Sequence, residues 1–240
     1  LIEALAPHVA AVKPQIAFYE AWGLAGMRAY VETIKVAQRS GLPVIADIKR
    51  GDIGSTAEAY AAAHLGGGGC DDFVADAVTL NPWLGSDSLE PFFKVCRERG
   101  KGVYLLLHTS NPGSRDLQEQ KLAGGERLYE SLASLITRWQ QTFAECRWSP
   151  VGVVVGATFP GELAALLKRL PHTPFLVPGY GAQGGSGEEL RPLFEGGLGA
   201  HLVNASRSLT YAWKKNGGTL EEAALKAVLE MKRDLLGSGA

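Results

Sequence analysis

Seven short apolar runs, each followed by a polar or glycine-containing break and then, in most cases, a longer amphipathic stretch, set the rhythm of this chain. They start near Val9, Leu42, Phe73, Lys101, Val151, Pro174 and Ala200, roughly 25 to 40 residues apart. Runs such as VGVVVGAT and KGVYLLLH carry no polar alternation, which suits strands buried on both faces of a parallel sheet. The stretches between them, including LAGMRAYVETIKVAQRSG and SLEPFFKVCRERGKG, have helical periodicity and end at glycine or proline. The last, TLEEAALKAVLEMKRDLLG, opens on Thr219 with Glu222 three residues on, a capping box, and stops at Gly237. The pattern is that of an α/β protein. With 240 residues and no linker-like tract, one domain over residues 1–240 is the expectation.

Alternation alone fits an open doubly wound sheet or a closed (β/α)8 TIM barrel. The polar residues separate the two. They follow the strands in nearly every unit, at Lys13, Asp47 and Lys49, Asn81, His108 to Ser110, Gln183, and Asn204 to Arg207. A barrel gathers such strand ends at one mouth, whereas an open sheet brings together only those near a switch point. The even spread favours the barrel. Seven strands and a start at Leu1 lead to the expectation that the first strand of eight lies upstream of residue 1.

The segment VIADIKRGDIGSTAEAY, residues 44–60, is the richest in chemistry. Asp47 and Lys49 lie two apart at the end of an apolar strand, so they share a face. Charges there are costly unless paired and functional. Lys13 ends the first visible strand, where it either leaves the sheet for solvent or, if that strand neighbours the one carrying Asp47, can reach Asp47; with Lys49 and Asp52 this would make an alternating array of Lys, Asp, Lys and Asp. Such an array can hold an ammonium beside a developing carbanion. Later, Gly179, Gly181 and Gly184 form a glycine-rich turn after a strand, with no acidic residue at the end of the next strand to complete a dinucleotide fingerprint. What remains is a turn able to offer N–H groups to a phosphate, followed by Arg207, a bidentate phosphate partner. Ser110 sits just past a strand in HTSNPGS, where turn formation is an equal reading.

Taken together, the VKPQ, IADIKRGDIGST, NPWLGSDSLEPF, TSNPGS and VPGYGAQGG segments resemble the orotidine 5′-phosphate decarboxylase family, in particular its bacterial subgroup. The resemblance runs from about Lys13 to Arg207. It implies a (β/α)8 barrel that converts orotidine 5′-monophosphate to uridine 5′-monophosphate and CO2, the last step of de novo pyrimidine synthesis, with no metal or organic cofactor. It also implies roles. Lys49 protonates C6, Asp47 lies near the departing carboxylate, and Lys13 holds Asp47 and contacts the ribose. Asp52 and Thr56 reach into the partner's site of a homodimer. Ser110 meets the pyrimidine, while Gln183 and Arg207, with the turn glycines Gly181 and Gly184, grip the phosphate. A ribose-binding Asp belongs to the upstream strand.

Two other readings remain open. A magnesium-dependent sugar-phosphate aldolase or decarboxylase of the same superfamily would use Asp47 for the metal, although PGYGAQGG and TSNPGS argue against it. A catalytically silent nucleotide-phosphate binder would keep the fold without the turnover. With 24 basic and 25 acidic residues, nothing points to a nucleic-acid or membrane partner. Three scattered cysteines and the absence of a signal-like start lead us to expect a cytoplasmic protein.

Overall fold

The computed structural model of the chain describes residues 1–157, 160–181, 187–194 and 199–237. They fall into two compact units, Leu1–Leu106 and Leu107–Ala240. The first begins with the short helices α1 (Ile2–Leu5) and α2 (Ile16–Glu20), then α3 (Gly23–Arg39). Alternating with these come β1 (Ile45–Arg50), α4 (Gly54–Leu65), β2 (Ala77–Leu80), α5 (Ser86–Arg99) and β3 (Gly102–His108), the last two residues of β3 belonging to the second unit. β1, β2 and β3 pair in parallel in that order. Helix α3 buries Gly26, Tyr30, Ile34 and Ala37, steps of four, four and three residues that make one stripe. Gly26 is required there, because a Cβ would fall 1.9 Å from the Tyr19 carbonyl oxygen. Helix α5 buries Leu89, Phe92, Phe93 and Cys96 in the same way and ends at Gly100 in the left-handed conformation.

In the second unit the order is α6 (Leu128–Gln140), β4 (Val151–Val155), α7 (Pro160–Arg169), β5 (Phe175–Pro178), α8 (Gly187–Leu190) and β6 (Leu202–Asn204). Three helices close it: α9 (Arg207–Thr210), α10 (Ala212–Asn216) and α11 (Leu220–Leu236). β4 pairs with β5 and β5 with β6, again in parallel. All five positions of β4 are buried, as its unbroken VGVVV sequence requires. The expected capping box of α11 forms, with the Thr219 hydroxyl accepting from the Glu222 N–H at 3.2 Å and the Glu222 carboxylate accepting in return at 3.1 Å. No helix among the described residues is long and apolar enough to cross a membrane.

Six strands stand where seven were expected among the described residues. The run from Val9 makes only isolated parallel bridges with β1 and its approach, Val12 to Val44 and Gln15 to Asp47. Ladder bonds are present, from Val12 N–H to Pro43 O, Ile45 N–H to Val12 O and Asp47 N–H to Pro14 O. Pro14 has no N–H to give to the Ile45 carbonyl, so the ladder breaks at its second rung. The segment lies alongside β1 without being a strand, and that suffices to carry Lys13 to its position.

Candidate active site

The first unit assembles Lys13, Asp47 and Lys49 into one cluster. The Asp47 side chain, 7% exposed, receives the Lys13 ammonium on Oδ2 and the Lys49 ammonium on Oδ1. Oδ1 also accepts the Thr79 hydroxyl at 2.9 Å. The Lys13 side chain is 14% exposed and that of Lys49 44%, so one cation is held inside and the other faces an opening. For a buried carboxylate, ion pairs and hydrogen bonds of this kind offset the penalty of desolvation. Burial alone raises its pKa. The Lys13 charge, the hydrogen bonds from Lys13 and Lys49, and then the Lys49 charge outweigh that and hold it below the ordinary carboxylate value.

The backbone beneath the cluster departs from a regular strand. β1 and β2 are in register at Ala46 and Val78, and next at Arg50 and Leu80, so four steps along β1 match two along β2. The surplus is the stretch that carries Asp47 and Lys49. Lys49 takes φ +47°, the only positive value at a non-glycine residue among the described residues, a conformation that costs about 1 to 2 kcal/mol. Its N–H donates to the Thr79 hydroxyl oxygen at 3.0 Å rather than to a strand carbonyl. Period-two reasoning placed the two charges on one face of a straight strand; they do meet, on a strand that bulges. Thr79 was not among the residues picked out from sequence. Its signal was there to be found: a threonine inside the apolar run AVTL, where a buried hydroxyl needs a partner.

Arg50 points elsewhere, pairing with Glu20 and lying 5.6 Å from the Tyr60 ring centroid. The Asp52 carboxylate accepts the Ile53 N–H at 2.8 Å and makes no ion pair with the cluster or elsewhere among the described residues. Thr56, on α4, is exposed.

The other expected residues belong to the second unit. Ser110 is half-buried just after β3, and Gly156 at the end of β4 comes so close that a Cβ there would lie 2.6 Å from that of Ser110. The Gly156 N–H donates to the His108 carbonyl at 2.8 Å, and the Gln118 side chain accepts the Thr109 N–H at 2.8 Å, which fixes the turn. Gly181 adopts φ +71°, as a glycine-rich turn requires. Gln183 and Gly184 lie outside the described residues. Arg207 is the exposed first residue of α9 and has no ion pair among the described residues. It lines a cavity of about 350 Å³ with Tyr180, Tyr211, Lys215 and Glu230. Asp234 of α11 is a further residue not foreseen: its Oδ2 accepts the Tyr180 hydroxyl at 2.7 Å and the Gly187 N–H at 2.9 Å. Burial, then that hydrogen bond and charge, raise the Tyr180 pKa and keep its hydroxyl a donor.

Residues 1–221 match the family described as orotidine 5′-phosphate decarboxylase / HUMPS. The chain is 42% identical to an orotidine 5′-phosphate decarboxylase of Rhodopirellula baltica, over 99% of this chain and 82% of that one. It is 44% identical to one of Clostridium botulinum, over 94% and 79%. Among solved structures, the OMP decarboxylase of Leishmania donovani superposes with a TM-score of 0.74 at 36% identity, covering 98% of this chain and 84% of its own. The (β/α)8 barrel expected from the strand pattern is the fold of that structural neighbour.

Proposed function

The chain belongs to the orotidine 5′-phosphate decarboxylase / HUMPS family, and from that premise we propose how its residues carry out the decarboxylation of orotidine 5′-monophosphate to uridine 5′-monophosphate in pyrimidine synthesis. The observation that supports the mechanism is the placement of Asp47 between two ammonium groups. Loss of CO2 breaks the bond from C6 to the carboxylate and leaves the electron pair on C6. The Lys49 ammonium stabilises that charge as it develops and then gives C6 a proton. The resulting neutral amine regains its proton from water. Asp47 orients Lys49 and lies near the departing carboxylate, while Lys13 holds Asp47 and contacts the ribose. Among the residues of the second unit we assign Ser110 to the pyrimidine, and Gly181 and Arg207, with Gln183 and Gly184, to the phosphate. A charged guanidinium without an ion partner among the described residues suits that grip.

The same cluster weighs against the magnesium-dependent reading. A divalent cation at Asp47 would face two ammonium groups that already occupy both carboxylate oxygens. The test is the loss of orotidine 5′-monophosphate absorbance in EDTA, with Lys49→Ala alongside. Turnover that persists in EDTA and falls about a thousandfold or more in the variant is expected. A strict Mg²⁺ requirement overturns the mechanism, and tight nucleotide binding without turnover identifies a silent binder.

We further propose a cytoplasmic homodimer in which Asp52 and Thr56 serve the partner's site. Asp52 makes no ion pair with its own cluster among the described residues, and Phe18, Trp22 and Leu24 of the same unit are each more than three-quarters exposed, with Ile53 over half exposed. Apolar side chains of that size left to water favour an interface. Mixing inactive Asp52→Ala and Lys49→Ala proteins is expected to restore part of the activity through exchanged dimers; no recovery counts against shared sites.

A further inference from the structure

We propose that Thr79 is a positioning residue of the decarboxylation site, a bifunctional strut that fixes both the backbone of Lys49 and the carboxylate of Asp47. The inference rests on the reading of Lys49 as the acid. Thr79 lies on β2 opposite the surplus residues of β1, between the registered positions Val78 and Leu80. It is buried. Its single hydroxyl proton goes to Asp47 Oδ1 at 2.9 Å, so the Lys49 N–H, 3.0 Å away, is taken by an oxygen lone pair. The direction of both bonds is thereby settled.

Each bond answers a specific need. In the bulge the Lys49 N–H has left the strand ladder, and a part-buried amide without an acceptor opposes the conformation that strands it. The hydroxyl replaces the lost carbonyl and holds Lys49 at φ +47°. The second bond reaches the same carboxylate oxygen that carries the Lys49 ammonium. One atom therefore references the main chain and the side-chain partner of Lys49 to each other, which limits how far its Nζ can move. Only a short side chain with donor and acceptor on one atom, serine or threonine, can do this from β2. Valine has the shape without the chemistry, and asparagine separates donor and acceptor onto different atoms.

A misplacement of about 1 Å at a reacting group can cost about a hundredfold in rate. Thr79→Val and Thr79→Ala, each verified as folded by circular dichroism, are expected to lower kcat for orotidine 5′-monophosphate by about tenfold to a hundredfold with KM within about threefold. Thr79→Ser is expected to stay within about threefold of the native kcat. If the valine variant does not fold, the alanine variant carries the measurement. A second readout needs no substrate: amide hydrogen exchange at Lys49 is expected to rise about tenfold or more in the two variants lacking the hydroxyl and to stay unchanged in Thr79→Ser. Native kcat in a folded variant without the hydroxyl, or equal impairment in Thr79→Ser, overturns the proposal. If the unaltered protein fails to turn over orotidine 5′-monophosphate, the functional reading falls, and the exchange rates still decide whether Thr79 holds Lys49.

Discussion

The charges of Lys13, Asp47 and Lys49 in the first unit satisfy one another, whereas the principal cation assigned to the substrate in the second has no ion pair among the described residues. Lys13, Asp47, Lys49 and Thr79 form a closed set of hydrogen bonds and ion pairs. Arg207 begins α9 exposed, with no ion pair among the described residues. The difference follows from what each must do. A group that meets a short-lived charge has to be in place beforehand, because reorganisation during the reaction would add to the barrier. A group that binds a stable phosphate gains from having no competing partner, since the ligand itself completes its bonds.

The contrast breaks most visibly at Asp47. Asp47→Asn is expected to lower kcat by about a thousandfold and to cost about 3 kcal/mol of unfolding free energy, because it leaves two ammonium groups facing each other. Urea unfolding checks the second part. Its pKa is lowered by folding, so the stability it supplies is complete above the ordinary carboxylate range and is lost as pH falls through the lowered value. The variant is expected to lack that acid limb.

Arg207→Ala tests the other side. The expectation is a KM raised about a hundredfold, the loss of a charge-assisted phosphate contact, with an unchanged urea midpoint. A large stability loss would mean that Arg207 is tied into the protein after all and would remove the contrast.

A smaller effect sharpens it further. His64 of the first unit packs against Phe73 and is buried, and burial, followed by the Arg50 charge, lowers its pKa from 6.5 to about 4. The unfolded chain therefore binds a proton before the folded one does. Stability is full above pH 6.5 and declines as pH falls toward 4, by about 2 kcal/mol between pH 7 and pH 5. His64→Phe is expected to flatten that decline, read from unfolding midpoints at the two pH values.

Much of this was legible in the residues. The runs at Leu42, Phe73, Lys101, Val151, Pro174 and Ala200 each supply a strand; apolar runs buried on both faces have few alternatives, and only the last, β6, is no more than half-buried along its length. Capping chemistry located the ends of α11 for the same local reason. The run at Val9 misled, since Pro14 removes one ladder bond at a place where hydrophobicity alone suggests a strand. Lys13 was placed correctly beside Asp47 because adjacency needs only an extended neighbour.

By itself, then, the sequence determined the order of strands and helices and the family to which the chain belongs. It also put Asp47 and Lys49 towards the end of one strand, with Lys13 on an extended neighbour. Tertiary structure alone decided that β1 bulges between Ala46 and Arg50, that Lys49 turns to a positive φ, and that Thr79 rather than a strand carbonyl receives its N–H. The reason is that local preference governs a helix or an isolated strand, while a bulge exists only relative to its partner. Its position depends on which residues of β2 lie opposite, and no window of sequence around Lys49 contains Thr79.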